Sequence, residues 1–352
     1  MSVSYYLHTP LPDDSNELPA ISRLGRLLQR HFGQDKDEYT LVFNIDPGEK
    51  IITAEGKKLT QLEALLFGPR FVSIIELKNC FEPLNVDSLT GAWVCGQYEQ
   101  PGGNTRNPFL QVQYARQIWS GYLAEKCAHY FPGFQQDEWQ KRWEYLSVFL
   151  LFVPFLHPDS SLPPLEKAAG WLSIGGIDEV SDFVFRSRSD RMSLAPATVN
   201  KIVTDILGAK PWPKLPSVLD EQIGNLFIAE PDRPLIRIPL YQFDDISIGR
   251  STTQLVKVYR QLRLISKAHA RLEVQNGQVG LYDVGSKNGT FVKVNGRFQK
   301  VTPGHLLAEN ERALLGSNNS RKAVQVWYKL HTRAAINTAD TKTIFGTLDN
   351  ED

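Results

Sequence analysis

Apolar residues recur with helical spacing at Ile21, Leu24, Leu27 and Leu28, which predicts a helix over 19–32. Apolar runs over 39–45, 59–67 and 70–78 have strand length, and Gly68-Pro69 marks the turn between the last two. Asn107-Pro108 opens a helix over 108–126, because asparagine caps orphan amides and proline is tolerated at the first helical position. The run from Leu146 to Leu156 is rich in Val and Phe. It falls well short of the roughly 20 residues of a membrane-spanning helix and predicts a buried strand. A further helix is expected over 195–207. Helix, three strands, helix, strand and helix is the order of an α/β domain.

After residue 207 the pattern changes. Pro211, Pro213, Pro216, Pro231 and Pro234 cluster within 208–234 and predict a linker. Over 235–331 short strands alternate with Gly, Asn and Ser turns, the signature of a β-sandwich. The polar stretch 332–352 ends in Asp349-Asn350-Glu351-Asp352 and reads as a flexible tail. Its Thr338, Thr341, Thr343 and Thr347 are candidate phosphorylation sites.

At 352 residues the chain is long enough for two cores, and its 42% apolar content argues against wholesale disorder. Basic and acidic residues balance at 39 each, so bulk charge points to no partner. Their distribution does. From Arg237 to Lys329 there are 15 basic and 6 acidic residues, a positive module suited to an anionic ligand. Cys80, Cys95 and Cys127 form no CxxC pair, which argues against structural zinc and predicts free thiols in a reducing cytoplasm. Residues 1–15 lack a basic-then-apolar signal, and no membrane association is expected. The scattered histidines have no acid or nucleophile at motif spacing. Trp139 and Trp143, one helical turn apart, predict core packing. No Walker loop, kinase signature or GxSxG elbow is present.

Three clusters between short strands carry the clearest chemistry. They are Ile248-Gly249-Arg250, Ile265-Ser266-Lys267-Ala268-His269, and Asp283-Val284-Gly285-Ser286-Lys287-Asn288-Gly289-Thr290. Guanidinium, hydroxyl and loop amides together make an anion cradle. The segment resembles a forkhead-associated (FHA) domain, a β-sandwich that binds phosphothreonine peptides. The resemblance implies that Arg250 and Ser266 hold the phosphate, with Lys267 as a secondary contact and Asn288 bonded to the peptide backbone. Gly249, His269 and Gly289 would brace the loops. Further on, Thr290-Phe291-Val292-Lys293-Val294-Asn295-Gly296 carries two more residues than the family's usual spacing. Asn295-Gly296 reads either as a second peptide contact or as a hairpin turn.

In the N-terminal half, strand alternation puts Glu76 and Lys78 on one face with Val72 and Ile74. Charged groups at the end of a buried face seldom serve packing alone. The Gly68-Pro69 turn would bring Glu63 alongside. With Gly91-Ala92-Trp93 and Asn107-Pro108 followed by Gln111, residues 15–207 resemble the nuclease-related (NERD) branch of the PD-(D/E)XK nucleases. That resemblance implies Glu63 and Glu76 as ligands of Mg, or Mn, with Lys78 and Gln111 completing a catalytic set and Glu17 nearby. Glu63 stands where the superfamily has aspartate.

The expected fold is therefore an α/β restriction-endonuclease-like domain, a mixed sheet flanked by helices over 1–207, followed by an all-β FHA sandwich. Two functions lead, ahead of a third reading as a kinase-pathway scaffold with no nucleic-acid role. One is a metal-dependent nuclease governed by a phosphothreonine-containing protein, a Ser/Thr kinase or its substrate, acting on DNA or RNA. The other is an inactive adaptor whose N-terminal domain binds nucleic acid or protein without cleavage.

Overall fold

In the computed structural model the most apolar strands lie at the centre of a seven-stranded sheet. The structure describes residues 3–331 except 12–16, 49–57, 81, 104, 134, 158, 165–169, 220, 252–253, 255, 259–262, 276 and 303. The tail expected over 332–352, with its four threonines, lies outside the described residues. The chain divides into two compact units between Pro216 and Ser217.

The first unit runs β1 (Val3–Leu7), α1 (Leu18–Phe32), β2 (Tyr39–Ile45), β3 (Leu62–Gly68) and β4 (Phe71–Cys80). A small sheet follows, formed by β5 (Leu84–Val86), β6 (Trp93–Cys95) and β7 (Tyr98–Glu99). Then come α2 (Pro108–Tyr130), α3 (Gln136–Trp143), β8 (Ser147–Pro154), β9 (Leu172–Gly176), α4 (Val180–Arg186), α5 (Pro196–Lys201) and β10 (Lys210–Pro211), and the unit boundary falls within α6 (Lys214–Leu219). The helix begun by α5 continues as a π-turn over Ile202–Ile206. The large sheet has the order β10-β1-β2-β3-β4-β8-β9. β2, β3 and β4 form an antiparallel meander, whereas β4–β8 and β8–β9 are parallel.

Parallel strands need crossover connections, and α2 supplies the one between β4 and β8. Such strands are covered on both faces and read as continuous apolar runs. Accordingly Val148, Leu150 and Phe152 of β8 pack into the core that contains Val112, Trp119 and Leu123 of α2. Phe149, on the opposite face, lies against Phe71 and Phe183. Trp139 and Trp143 are buried, as their spacing predicts. Pro69-Arg70 makes the β3–β4 turn, with Gly68 paired to Phe71. A Cβ on Gly68 would meet the Phe71 ring at 2.1 Å, so the close approach requires glycine.

The second unit is a sandwich. One sheet has the order β12-β11-β21-β20-β17-β18, and the other β14-β13-β15-β16-β19. The strands are β11 (Gln222–Ala229), β12 (Ile236–Tyr241), β13 (Asp245–Gly249), β14 (Val256–Lys257), β15 (Ala270–Gln275) and β16 (Gln278–Asp283). They continue with β17 (Thr290–Val294), β18 (Arg297–Lys300), β19 (Gly304–Leu307), β20 (Ala313–Leu315) and β21 (Val324–Leu330). Leu226, Ile228, Val292 and Val326 from one sheet share a core with Ile246, Ile248, Leu272 and Leu281 from the other.

Two expectations need correction. Residues 208–234, read as a linker, contain β10, α6 and β11, and β11 is paired on both sides. The prolines bracket β11 without entering it, so their clustering marks its flanks. Of the three cysteines, only Cys127 is free: Cys80 and Cys95 form a disulfide with a Cα–Cα distance of 6.0 Å. The bond ties the end of β4 to the small sheet, a meeting set by topology that no motif spacing announces. Among the described residues no helix is long and apolar enough to cross a membrane.

Burial pushes the Cys127 thiol up to about 12, leaving almost no thiolate near neutrality. Alkylation of native protein with iodoacetamide is expected to leave Cys127 unmodified until denaturant is added. Non-reducing peptide mapping is expected to recover the Cys80 and Cys95 peptides as one linked species, and separate alkylated peptides would contradict the pairing.

Candidate functional site

The first candidate site grows from the β3–β4 register. Ala64 pairs with Ile75, and one further step puts Glu63 opposite Glu76. The Leu77 amide donates to Glu63 Oε2. Lys78 Nζ lies 2.7 Å from Glu76 Oε1, and Gln111 Nε2 donates to the same oxygen at 2.6 Å. Glu76 is buried. Glu63, Glu76, Lys78 and Gln111 therefore converge, joining two strands and one helix.

Asn107 explains how Gln111 reaches the strand. Its side chain accepts from the Leu110 amide at 2.9 Å, capping α2. Its Nδ2 donates to the carbonyls of Leu89 and Gly91, so the helix start is anchored to the loop before Trp93. The sequence showed the cap but not this second grip, which depends on where residues 89–91 fold.

Burial pushes the Glu63 carboxyl well above the usual carboxylate range, and the facing Glu76 charge adds to the effect. Lys78 and the Leu77 amide pull it back, while Glu17 raises it slightly from the start of α1. Two carboxylates on adjacent strands repel unless a proton or a cation intervenes. Gln111 Oε1 is buried with no partner, a third oxygen beside the pair. Among the described residues there is no cluster of three or more His, Cys, Asp or Glu that could hold a metal. A cation here would rest on Glu63, Glu76 and a neutral oxygen.

The second candidate site lies at one end of the sandwich. The Arg250 amide donates to the Ser266 carbonyl at 3.1 Å and the Ser251 amide to that of Lys267 at 3.1 Å, bringing the two loops together. Gly249 is required at this crossing, because a Cβ would meet the Lys267 carbonyl oxygen at 2.2 Å. Arg250 Nε is buried without a hydrogen-bond partner. The Lys287 amide donates to Ser266 Oγ at 3.0 Å, which leaves the hydroxyl proton free to donate elsewhere. Lys267 is exposed beside it. Asn288 Nδ2 donates to the Leu264 carbonyl at 2.9 Å, leaving its Oδ1 as an acceptor.

His269 is fully buried. Its Nδ1 accepts from the Ser266 amide at 3.0 Å, so Nε2 carries the proton and donates to the Gly289 carbonyl at 3.1 Å. Burial lowers its pKa and favours this neutral form. Gly289 sits at φ +86°, its amide donating to Ser286 Oγ at 2.9 Å. Asp283 accepts in turn from the Ser286 amide and hydroxyl, both at 2.7 Å. The family pattern assigns no role to Asp283 or Ser286, although an Asp-x-x-Ser spacing before Gly signals such a turn. Asn295 and Gly296 both have positive φ, at 50° and 82°, and join Val294 to its partner Arg297. They form the hairpin turn.

Residues 246–316 match the FHA domain family model. No curated protein matches the chain. Among solved structures, the FHA domain of the CT664 protein from Chlamydia trachomatis is 19% identical, covering 30% of this chain and 96% of that one, with a TM-score of 0.26. Mycobacterium tuberculosis Rv1747 FHA-1 is 22% identical over 30% of this chain and 98% of its own, with a TM-score of 0.24. The N-terminal FHA domain of S. cerevisiae Rad53p, in complex with a phosphothreonine peptide, is 13% identical over 31% and 94%, with a TM-score of 0.26.

The folded state holds the Glu63 proton more tightly than an unfolded carboxyl does. This contribution to stability is therefore present in acid and lost as pH rises from about 4.3 toward the raised folded value. In metal-free buffer, Glu63→Gln is expected to raise Tm by about 3 °C or more at pH 8, with no gain at pH 4. Parallel Tm profiles for the two proteins across this range would show that Glu63 titrates normally.

Proposed function

We propose that the FHA-type sandwich reads phosphothreonine on a partner protein and thereby positions or switches a metal-dependent nuclease in the N-terminal unit. The observation that carries the first half is Arg250 Nε, a buried cationic donor without a partner, in a loop joined to Ser266. A phosphate dianion would satisfy the guanidinium, the Ser266 hydroxyl proton and the Lys267 ammonium together. Asn288 Oδ1 would receive an amide of the peptide backbone. The partner is a Ser/Thr kinase or one of its substrates.

The convergence of Glu63, Glu76, Lys78 and Gln111 supports the second half. So does the order α1, β2, β3, β4, α2, β8, which gives the meander and parallel fourth strand expected of a restriction-endonuclease-like core. The residues fit a small hard divalent ion: two carboxylates and the partnerless Gln111 oxygen are the donors magnesium prefers, and manganese accepts the same set. When bound, the ion would polarise a phosphodiester and acidify a water. Lys78 would orient the attacking water and offset negative charge on the scissile phosphate. Gln111 would hold the Glu76 carboxylate in place. The substrate would be DNA or RNA.

One observation favours an adaptor that binds without cutting. Both carboxylates already have protein partners, Lys78 with Gln111 for Glu76 and the Leu77 amide for Glu63. Glutamate at 63 is also one methylene longer than the aspartate found in the nuclease superfamily that this unit resembles.

Arg250→Ala is expected to weaken phosphothreonine-peptide binding by about 100-fold in calorimetry, with Tm unchanged. Equal affinity would remove the phosphate assignment. Plasmid and single-stranded substrates incubated with magnesium or manganese should be cleaved by the native chain. Lys78→Ala should slow this by about 100-fold or more without altering peptide affinity. No cleavage by either protein, with or without a phosphothreonine peptide, would establish the adaptor.

A further inference from the structure

The outward face of the six-stranded sheet belongs to neither site. Inward residues Leu226, Ile228, Val292, Val326 and Tyr328 fill the sandwich core, so the residues alternating with them point away from it. Phe227 is paired with Trp327 on one side and Arg237 on the other. The Phe227 and Trp327 rings stack at 5.5 Å and 11°. Arg312 lies 4.7 Å over Trp327. On the far side of β20, Phe291 pairs with Lys300 and Lys293 with Phe298. Lys293, Phe298, Lys300, Lys329 and Arg237 are exposed.

Charge on the two sheets is asymmetric. The six strands of this sheet contain Arg237, Lys293, Arg297, Lys300 and Lys329 and no Asp or Glu, whereas the opposing sheet mixes Lys257 and Arg271 with Asp245, Glu273 and Asp283. Basic residues often guard edge strands against pairing. That accounts for Arg237 on β12 and for Arg297 and Lys300 on β18. It does not account for Lys329 on the interior strand β21, or for the four aromatic rings between the charges.

We propose that this face is a platform for single-stranded nucleic acid. The exposed Phe298 and the half-buried Phe291, Phe227 and Trp327 offer ring surface on which unpaired bases stack, and Arg237, Lys293, Lys300 and Lys329 neutralise the phosphates. Stacking combined with a cationic surface is the physical basis of sequence-tolerant single-strand binding, and a duplex hides the base faces such a platform needs. An acidic protein surface would use the charges but gain little from the rings. The platform depends on neither the phosphothreonine reading nor the nuclease reading.

The test uses the full chain in EDTA, which suppresses any cleavage, with fluorescein-labelled oligo(dT), oligo(U) and a duplex of equal length followed by anisotropy. Both single strands are expected to bind at least about tenfold more tightly than the duplex. Their ratio separates DNA from RNA preference. For about four phosphates, log K should fall with log salt at a slope near −3. The double variant Lys293→Glu/Lys300→Glu and the exposed-ring variant Phe298→Ala should each weaken binding about tenfold, with circular dichroism and Tm confirming the fold. Unchanged affinity in the charge-reversal variant overturns the proposal. So does a polyglutamate peptide that binds as tightly as oligo(dT) while Phe298→Ala has no effect, which would assign the face to an acidic protein instead.

Discussion

The β3–β4 register, set by the turn at Pro69-Arg70, is the constraint on which the N-terminal unit depends. A slip of one residue would send every side chain of one strand to the opposite face. Glu63 would then leave Glu76 and point into the layer occupied by Phe71 and Phe149. The register is held by geometry at Gly68, where Phe71 leaves no space for a Cβ, and by apolar residues on both faces of the strands. β4 is paired to β3 on one side and to β8 on the other, so it can move only if the sheet opens. The carboxylate pair is thus forced together by the part of the protein best able to bear the repulsion.

The sandwich solves a comparable problem with a neutral ring. Its loops approach through Gly249 and Gly289, and His269 ties Ser266 to Gly289 from within. A protonated imidazole could not accept from the Ser266 amide, so burial of the neutral form also fixes the loop geometry. This brace consumes the backbone groups of the loops and leaves the cationic and hydroxyl donors of Arg250 and Ser266 available. Removing a cation's partners inside a protein is costly. Such a cost is understandable where an anion is to be received.

The FHA loops and the outward sheet face share a physical theme, since each presents cationic groups that anions of the phosphate type satisfy, whereas the carboxylate site calls for a proton or a cation. All three differ in burial. The carboxylate site is enclosed between strands and helix, the FHA loops hold a half-buried Arg250 beside the exposed Lys267, and the sheet face spreads its charge across exposed side chains. These differences imply graded responses to salt, strongest where charge is most exposed.

Local periodicity was enough to reveal much of this protein. Strand alternation places Glu76 and Lys78 together because successive side chains must point to opposite faces, and the loop residues from Gly249 to Gly289 carry their chemistry in short, ordered clusters. The long apolar run of β8 was legible for the same reason. What the sequence could not reveal depends on meetings between distant segments. The disulfide joins residues 15 apart through the folding of a small sheet, Asn107 grips the carbonyls of Leu89 and Gly91, and β11 lies hidden between prolines. The aromatic and basic face is assembled from strands far apart in the chain, so no local window contains it. Sequence determines which face of a strand a side chain occupies, because that follows from backbone geometry. Tertiary structure decides which strands and helices become neighbours, because sheet order and register come from burying surface across the whole unit.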